Sequence, residues 1–227
     1  MKPMQKLMII SAALLLALPS IGAAAEPRAG GYVSGFIGVS MPSDNDVTTD
    51  YFDNSPSVRD QVEFDPGINI GGTGGYDFGY VRLEGEISYK YSEISSLYDQ
   101  TNNQRYRNLD GDLGVSAFMA NAFFDLHNDS RVTPYLGGGI GFAVLNLSDT
   151  FGTNVNGRQY LYGEDDDAVF AYQVGAGVEI ALNPRFSLDL GYRYFGTDTA
   201  NFDNDFDQSS SMKFESHNVA VGFRATF

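Results

Sequence analysis

At 227 residues with a formal net charge of −15, the chain suits a single domain and argues against nucleic acid, whose phosphates need Lys and Arg to release counterions. It holds no cysteine, which excludes a disulfide framework and thiolate chemistry. Gly 26, Phe 17 and Tyr 14, with no Trp, point to a β-rich fold with close backbone approaches.

The first predicted element is an export signal over residues 1–25. Lys2 and Lys6 precede an apolar run from Leu7 to Leu18, Pro19 breaks it, and Ala23-Ala24-Ala25 stands before Glu26. This is the small-x-small pattern of signal cleavage, placed between Ala25 and Glu26. The run is shorter than the roughly 20 residues an apolar helix needs to span a bilayer. Residues 26–227 then form the mature domain.

After Gly30 the pattern is alternation, the mark of strands with one apolar face. Eight strands follow, near 31–41, 62–77, 80–93, 111–126, 131–147, 167–182, 185–196 and 212–227. The first has no clear facing. In the second, Ile68 and Ile70 oppose Asn69, Gly71 and Thr73. The third is the cleanest: Val81, Leu83, Ile87, Tyr89 and Tyr91 oppose Arg82, Glu84, Glu86, Ser88 and Lys90. In the fourth, Phe118, Ala120, Ala122 and Phe124 are set outward and Asn121 inward. Leu136, Ile140, Phe142 and Val144 give the fifth strand its apolar face, against Tyr135, Gly137, Gly139 and Gly141. The sixth sets Phe170, Tyr172, Val174, Val178 and Ile180 against Gln173, Gly175 and Glu179. Phe186, Leu188, Leu190, Tyr192 and Tyr194 oppose Ser187, Asp189 and Arg193 in the seventh. Val219, Val221, Phe223 and Phe227 oppose Asn218, Gly222 and Arg224 in the last.

Connections alternate in length. Residues 77–80, 127–130 and 183–185 are tight turns rich in Gly, Asn, Asp and Pro. Those at 42–61, 94–110, 148–166 and 197–211 are long and polar. Short turns at one end and long loops at the other are the layout of outer-membrane barrels.

A soluble eight-stranded barrel or a Tyr-rich sandwich would also alternate. The polar face decides between them: it is poor in bulk, and its charges balance. Arg82, Lys90, Arg193 and Arg224 stand against Glu84, Glu86, Glu179 and Asp189. A narrow closed interior needs small residues and paired charges, whereas the surface of so acidic a chain has no reason to be neutral. Aromatics gather at both strand ends, with Tyr76, Tyr80, Phe186 and Phe227 on one side and Tyr89, Tyr91, Phe170, Tyr172 and Tyr194 on the other. Rings of this kind form girdles at lipid headgroups. The expected fold is all-β: an eight-stranded, antiparallel, up-and-down transmembrane β-barrel in the cell outer membrane, with short periplasmic turns and four long extracellular loops.

Three segments resemble a known group, the opacity-type (OmpA-like) surface-antigen family of outer-membrane barrels. Gly75-Tyr76-Asp77-Phe78-Gly79 with Val81 to Glu86 is similar to its second hairpin, and Pro134 to Gly141 to its fifth strand. Asn121 with Asp125 resembles the end of its fourth. The alternating final strand, with Phe223 and a terminal Phe227, resembles the signal read by the outer-membrane assembly machinery. The resemblance implies an integral outer-membrane protein displaying variable loops, in a family whose members act as adhesins, surface antigens or envelope-stabilising proteins. The resemblance covers essentially the mature chain, and the loops carry no motif of known kind.

Catalytic residues are scarce. His127 lies in a tight turn beside Asn128 and Asp129. Glu215, Ser216 and His217 offer a carboxylate, a hydroxyl and a base, but alternation turns Ser216 away from the other two. Asp203-Asn204-Asp205-Phe206-Asp207 echoes a calcium loop, yet it lacks the Gly at the sixth position and has Phe214 where a bidentate Glu would stand. Asp44, Asp46, Asp50, Asp53, Asp60, Asp149, Glu164, Asp165 and Asp166 make the first and third loops acidic, solvated faces with weak divalent binding as the alternative. The glycine runs at 71–75 and 137–141 complete no G-x-G-x-x-G and lie in strands, where close packing accounts for them. No cofactor and no metal are expected.

The reading is a non-catalytic barrel presenting acidic loops, in surface recognition or envelope integrity. A narrow porin-like channel for small solutes is the alternative, and a membrane-embedded hydrolase a distant third. Expected partners are outer-membrane lipid and lipopolysaccharide, the assembly machinery through the last strand, and a host- or cell-surface ligand at the loops. The barrel is expected to be a monomer.

Overall fold

The structure, a computed structural model, describes residues 29–51, 58–100, 104–106, 109–126, 130–154, 157–162, 165–204 and 208–227. Residues 1–28, with the expected signal and its expected cleavage point at Ala25 and Glu26, lie outside them, as does His127.

Thirteen strands are described: β1 (Gly30–Pro42), β2 (Asn45–Tyr51), β3 (Val58–Phe64), β4 (Gly67–Asp77), β5 (Val81–Asp99), β6 (Gln104–Tyr106), β7 (Asp112–Asp125), β8 (Val132–Leu147), β9 (Thr150–Asn154), β10 (Gly157–Tyr162), β11 (Asp165–Ala181), β12 (Phe186–Asn204) and β13 (Gln208–Thr226). Eight of them form a closed antiparallel ring in the order β1, β4, β5, β7, β8, β11, β12, β13. β13 returns to β1 through Tyr32↔Thr226 to Pro42↔Ser216, so the ring has no free edge. Closure is what lipid demands, because no water is there to satisfy an unpaired strand.

Register follows from the alternation, since a one-residue slip would turn every side chain to the other medium. Each ring strand exposes its apolar set on the outer wall, as with Ile37, Ile70, Ile87, Phe118, Ile140, Val174, Leu190 and Val221. In β1, which the sequence left unassigned, Val33, Ile37 and Val39 face out while Tyr32 and Ser40 are buried. Turns at one end are tight for stated reasons. Phe78 N donates to Val81 O at 2.9 Å while Gly79 takes φ 101°, a conformation open to glycine. Asn183 Oδ1 accepts from Arg185 N at 2.9 Å and Phe186 N at 3.0 Å, holding the turn between β11 and β12.

The opposite end differs from the expectation of four long loops, because most of those residues are strand. β12 and β13 stay paired out to Asn204↔Gln208, through a bulge between Gly196 and Thr199. β2 and β3 pair with one another and dock on the ends of β13 and β5, continuing the wall above β1 and β4. β9 and β10 form a separate hairpin, and β6 pairs with the end of β5. The single strand expected over 62–77 is therefore two: Val62 to Phe64 belong to β3, and β4 begins at Gly67. Pro66 stands between them and has no N–H to carry the ladder on.

Candidate functional site

A barrel of eight strands has room inside for little more than side chains, and this one is filled in two tiers. The tier at the short-turn end is polar. Arg82 on β5, 1% exposed, pairs through Nε with Asp125 of β7 at 2.9 Å and reaches Glu179 of β11 at 3.6 Å. Arg224 of β13 also pairs with Glu179, which accepts from Ser187 Oγ at 2.7 Å. Arg193 of β12 pairs with Glu86 and lies 3.5 Å from Glu84. Asn121 Nδ2 donates to both of these carboxylates, at 2.9 and 3.2 Å, and Gln173 Nε2 donates to Glu86 at 2.9 Å. Tyr32 donates to Glu84 at 2.8 Å and Tyr135 to Asp189 at 3.0 Å.

Packing makes this crossing of the lumen feasible. A Cβ at Gly139 would collide with the Asn121 side chain, so glycine there leaves room for the amide to reach the two glutamates. Rings line the guanidinium faces, with Tyr135 4.6 Å from Arg82 and Tyr32 4.2 Å from Arg224. A cavity of about 30 Å³ lies among Arg82, Arg193 and Arg224, no larger than one or two waters need.

Seven of the eight charges expected in this network come together as hydrogen-bonded or ion-paired groups. Lys90 does not. Among the described residues it joins no ion pair; its Nζ sits 4.0 Å above the Phe195 ring and 3.2 Å from Ser88 Oγ. The sequence balance of four against four also omitted Asp125, the partner of Arg82. Asp125 lies four residues along β7 from Asn121, and strand alternation places it on the same inner face.

Above Lys90 the interior becomes apolar. Leu113, Val115, Leu145, Phe195 and Phe214 pack into one buried cluster, which Ile94, Leu97, Phe202 and Met212 extend toward the loop end. Val47 of β2 and Val62 of β3 close it from the remaining side. The polar inner face expected along the whole barrel thus holds for the lower tier alone.

On the outer wall Glu215 and His217 share a face, and Ser216 between them is fully buried, its hydroxyl 3.1 Å from Asn218 Nδ2. The three do not converge. Phe223 lies outward against Phe186, ring centroids 5.3 Å apart, and Phe227, 81% exposed, donates from its backbone to Gly31 O at 3.0 Å. Asp165, Asp166 and Asp112 line a depression at the loop end, while no group of acidic or histidine residues arranged for a metal occurs among the described residues.

The family model for the outer membrane protein beta-barrel domain matches residues 10–227. The chain belongs to this family. It is 26% identical over 196 residues to the outer membrane protein PagN of Salmonella typhimurium, covering 76% of each chain. Among solved structures it is similar to OprG from Pseudomonas aeruginosa, with a TM-score of 0.57, 14% identity and coverage of 91% of this chain and 98% of that one. Neisserial surface protein A gives a TM-score of 0.50 at 18% identity, over 87% of this chain and 97% of the other. At such identities the two likenesses are of fold. The family match together with the closed ring makes this an outer-membrane β-barrel, with its tight turns periplasmic and its strand extensions extracellular.

Proposed function

We propose that this chain is a non-catalytic, non-conducting surface barrel whose extracellular extensions carry its function, in adhesion, antigen display or envelope integrity. One observation carries the reading: an apolar cluster packs across the extracellular half of the lumen, directly above a network of paired charges. A conducting path would have to cross both, and a hydrated path through the first would wet buried Leu, Val and Phe. Catalysis is disfavoured by the divergence of Ser216 from Glu215 and His217. What remains outside is substantial: the β2–β3 and β9–β10 hairpins and the long β12–β13 hairpin stand above the wall with an acidic surface. The last strand, with Phe223 and Phe227, serves as the recognition segment for assembly, and the barrel works as a monomer in contact with outer-membrane lipid.

The test is planar-bilayer recording on the refolded mature chain, after a heat-modifiable gel shift confirms folding. Electrical silence is expected. Steady, voltage-stable conductance that falls in Arg193→Ala or Glu84→Gln would overturn the reading in favour of a narrow porin. Replacing Thr150–Tyr162 with a Gly-Ser linker should preserve the gel shift and abolish adherence of bacteria that display the barrel.

A further inference from the structure

Most of the outer wall is what lipid tails accept, but one face near the extracellular edge is not. The outward residues of β13 read, from the extracellular end down, Lys213, Glu215, His217, Val219, Val221, Phe223: a cation, an anion, an imidazole, then an unbroken apolar run. At about 3.4 Å per residue the three polar side chains span roughly 14 Å along the strand.

Three tyrosines from the adjoining strands complete the patch. Tyr192 Oη and His217 Nδ1 are 2.7 Å apart, with the two rings stacked at 6.0 Å. Tyr194 packs against Tyr172, ring centroids 6.3 Å apart, and its ring is 5.4 Å from that of His217. Tyr172 reaches this group by crossing over Gly196, where a Cβ would fall 2.7 Å from the ring. The missing side chain at Gly196 is thus part of how the patch is built.

Ordinary girdle tyrosines account for rings at this height, but not for Glu and His beside them. Ionisable groups facing lipid are costly unless a polar partner meets them. Charge points to the partner. Arg105 is taken by Glu63 and Arg158 by Asp110, Lys90 and three Arg are in the lumen, and Arg131 and Arg185 are at the periplasmic turns. Lys213 is exposed on the extracellular side and joins no ion pair among the residues whose side chains are described.

We propose that this column binds one phosphorylated, acylated saccharide of the outer leaflet, the lipid anchor of lipopolysaccharide. Lys213 takes a phosphate, Glu215 and His217 with the tyrosines take sugar hydroxyls and ring faces, and acyl chains lie over Val219 and Val221. The order of chemistry down the strand matches that of such a molecule from headgroup to tail. A simple phospholipid would use Lys213 and leave Glu215 and His217 unmatched.

Native mass spectrometry of the mature barrel in a sugar-free detergent tests this, with bisphosphorylated lipid A, dephosphorylated lipid A and phosphatidylglycerol as probes. The wild type should retain one bisphosphorylated lipid A, and retain each of the other two about tenfold less, the loss expected for one charge-assisted set of contacts. Lys213→Glu and Gly196→Val should each weaken retention of the first probe to the same degree, with the heat-modifiable shift unchanged. Equal retention of phosphatidylglycerol, or full retention by Lys213→Glu, would overturn the proposal. The ranking of the three lipids on the wild type decides it even where a variant does not fold.

Discussion

The two tiers of the lumen solve one problem in opposite ways. Below Lys90 the interior is held by Arg82, Arg193 and Arg224 tied to four carboxylates, whereas above it Leu145, Phe195 and Phe214 pack as in a soluble core. The wall around both is the same antiparallel ladder. The difference teaches that the medium outside dictates the filling inside. Where lipid covers the outer face, all apolar residues are spent outward and the lumen receives the polar ones. Once the strands rise into water the assignment inverts: Met212 and Phe214 point in, and Ser211 and Lys213 point out.

The comparison breaks most visibly at Arg82. Replacing it with Met strands Asp125 in a dry interior and leaves Glu179 with Arg224 alone, and should cost about 3–5 kcal/mol, read as a lower urea midpoint in refolding experiments. Adding Asp125→Asn should recover part of that loss. A change under roughly 1 kcal/mol would mean that the network is solvated and the lower tier is not a packed plug. In the upper tier, Leu145→Ala should cost about 2–5 kcal/mol through its cavity. No second substitution at a charged site should rescue it, since the two tiers share no partners at that position.

Lys90 sharpens the boundary. Its ammonium group rests on the Phe195 ring and a serine hydroxyl, so Lys90→Met should move the midpoint by about 1 kcal/mol or less, and upward rather than down. A loss as large as that of Arg82→Met would place Lys90 inside the charge network after all. The smallest effect is expected at Arg158, exposed beside Asp110 and stacked 4.7 Å from the Phe151 ring. Arg158→Ala should change stability by less than about 1 kcal/mol while leaving the gel shift intact.

How far the sequence could be read follows from the same inversion. From Val81 to Lys90 the alternation is clean because one face meets lipid and the other meets Arg and Glu, so facing and register were both legible. Beyond Gly196 the apolar positions move to the inner face, and the bulge between Gly196 and Thr199 shifts the parity once more. Ala200 and Phe202 then look like stray apolar residues in a polar loop, although they face the core. The same holds for Leu97, which alternation leaves in a polar loop, and for Val62, which it sets at the start of a single strand over 62–77. In the lumen, the charges were visible but their partners were not, because Asp125, Tyr32 and Tyr135 gain meaning only when strands far apart in sequence face one another.

β13 borders β1 below and β2 above, so a single strand completes the ring in both tiers. Its contact at Thr49 and Ser210, 3.0 Å apart, joins residues 161 positions distant in the chain. Contacts of such separation are reached slowly, because the entropy of closing the intervening chain is lost before the contact is made. Neither tier can close until β13 arrives, and a chain that stops before Gln208 keeps two open seams, one facing lipid and one facing water. Insertion and completion of the extracellular crown are therefore a single kinetic event, timed by the final strand.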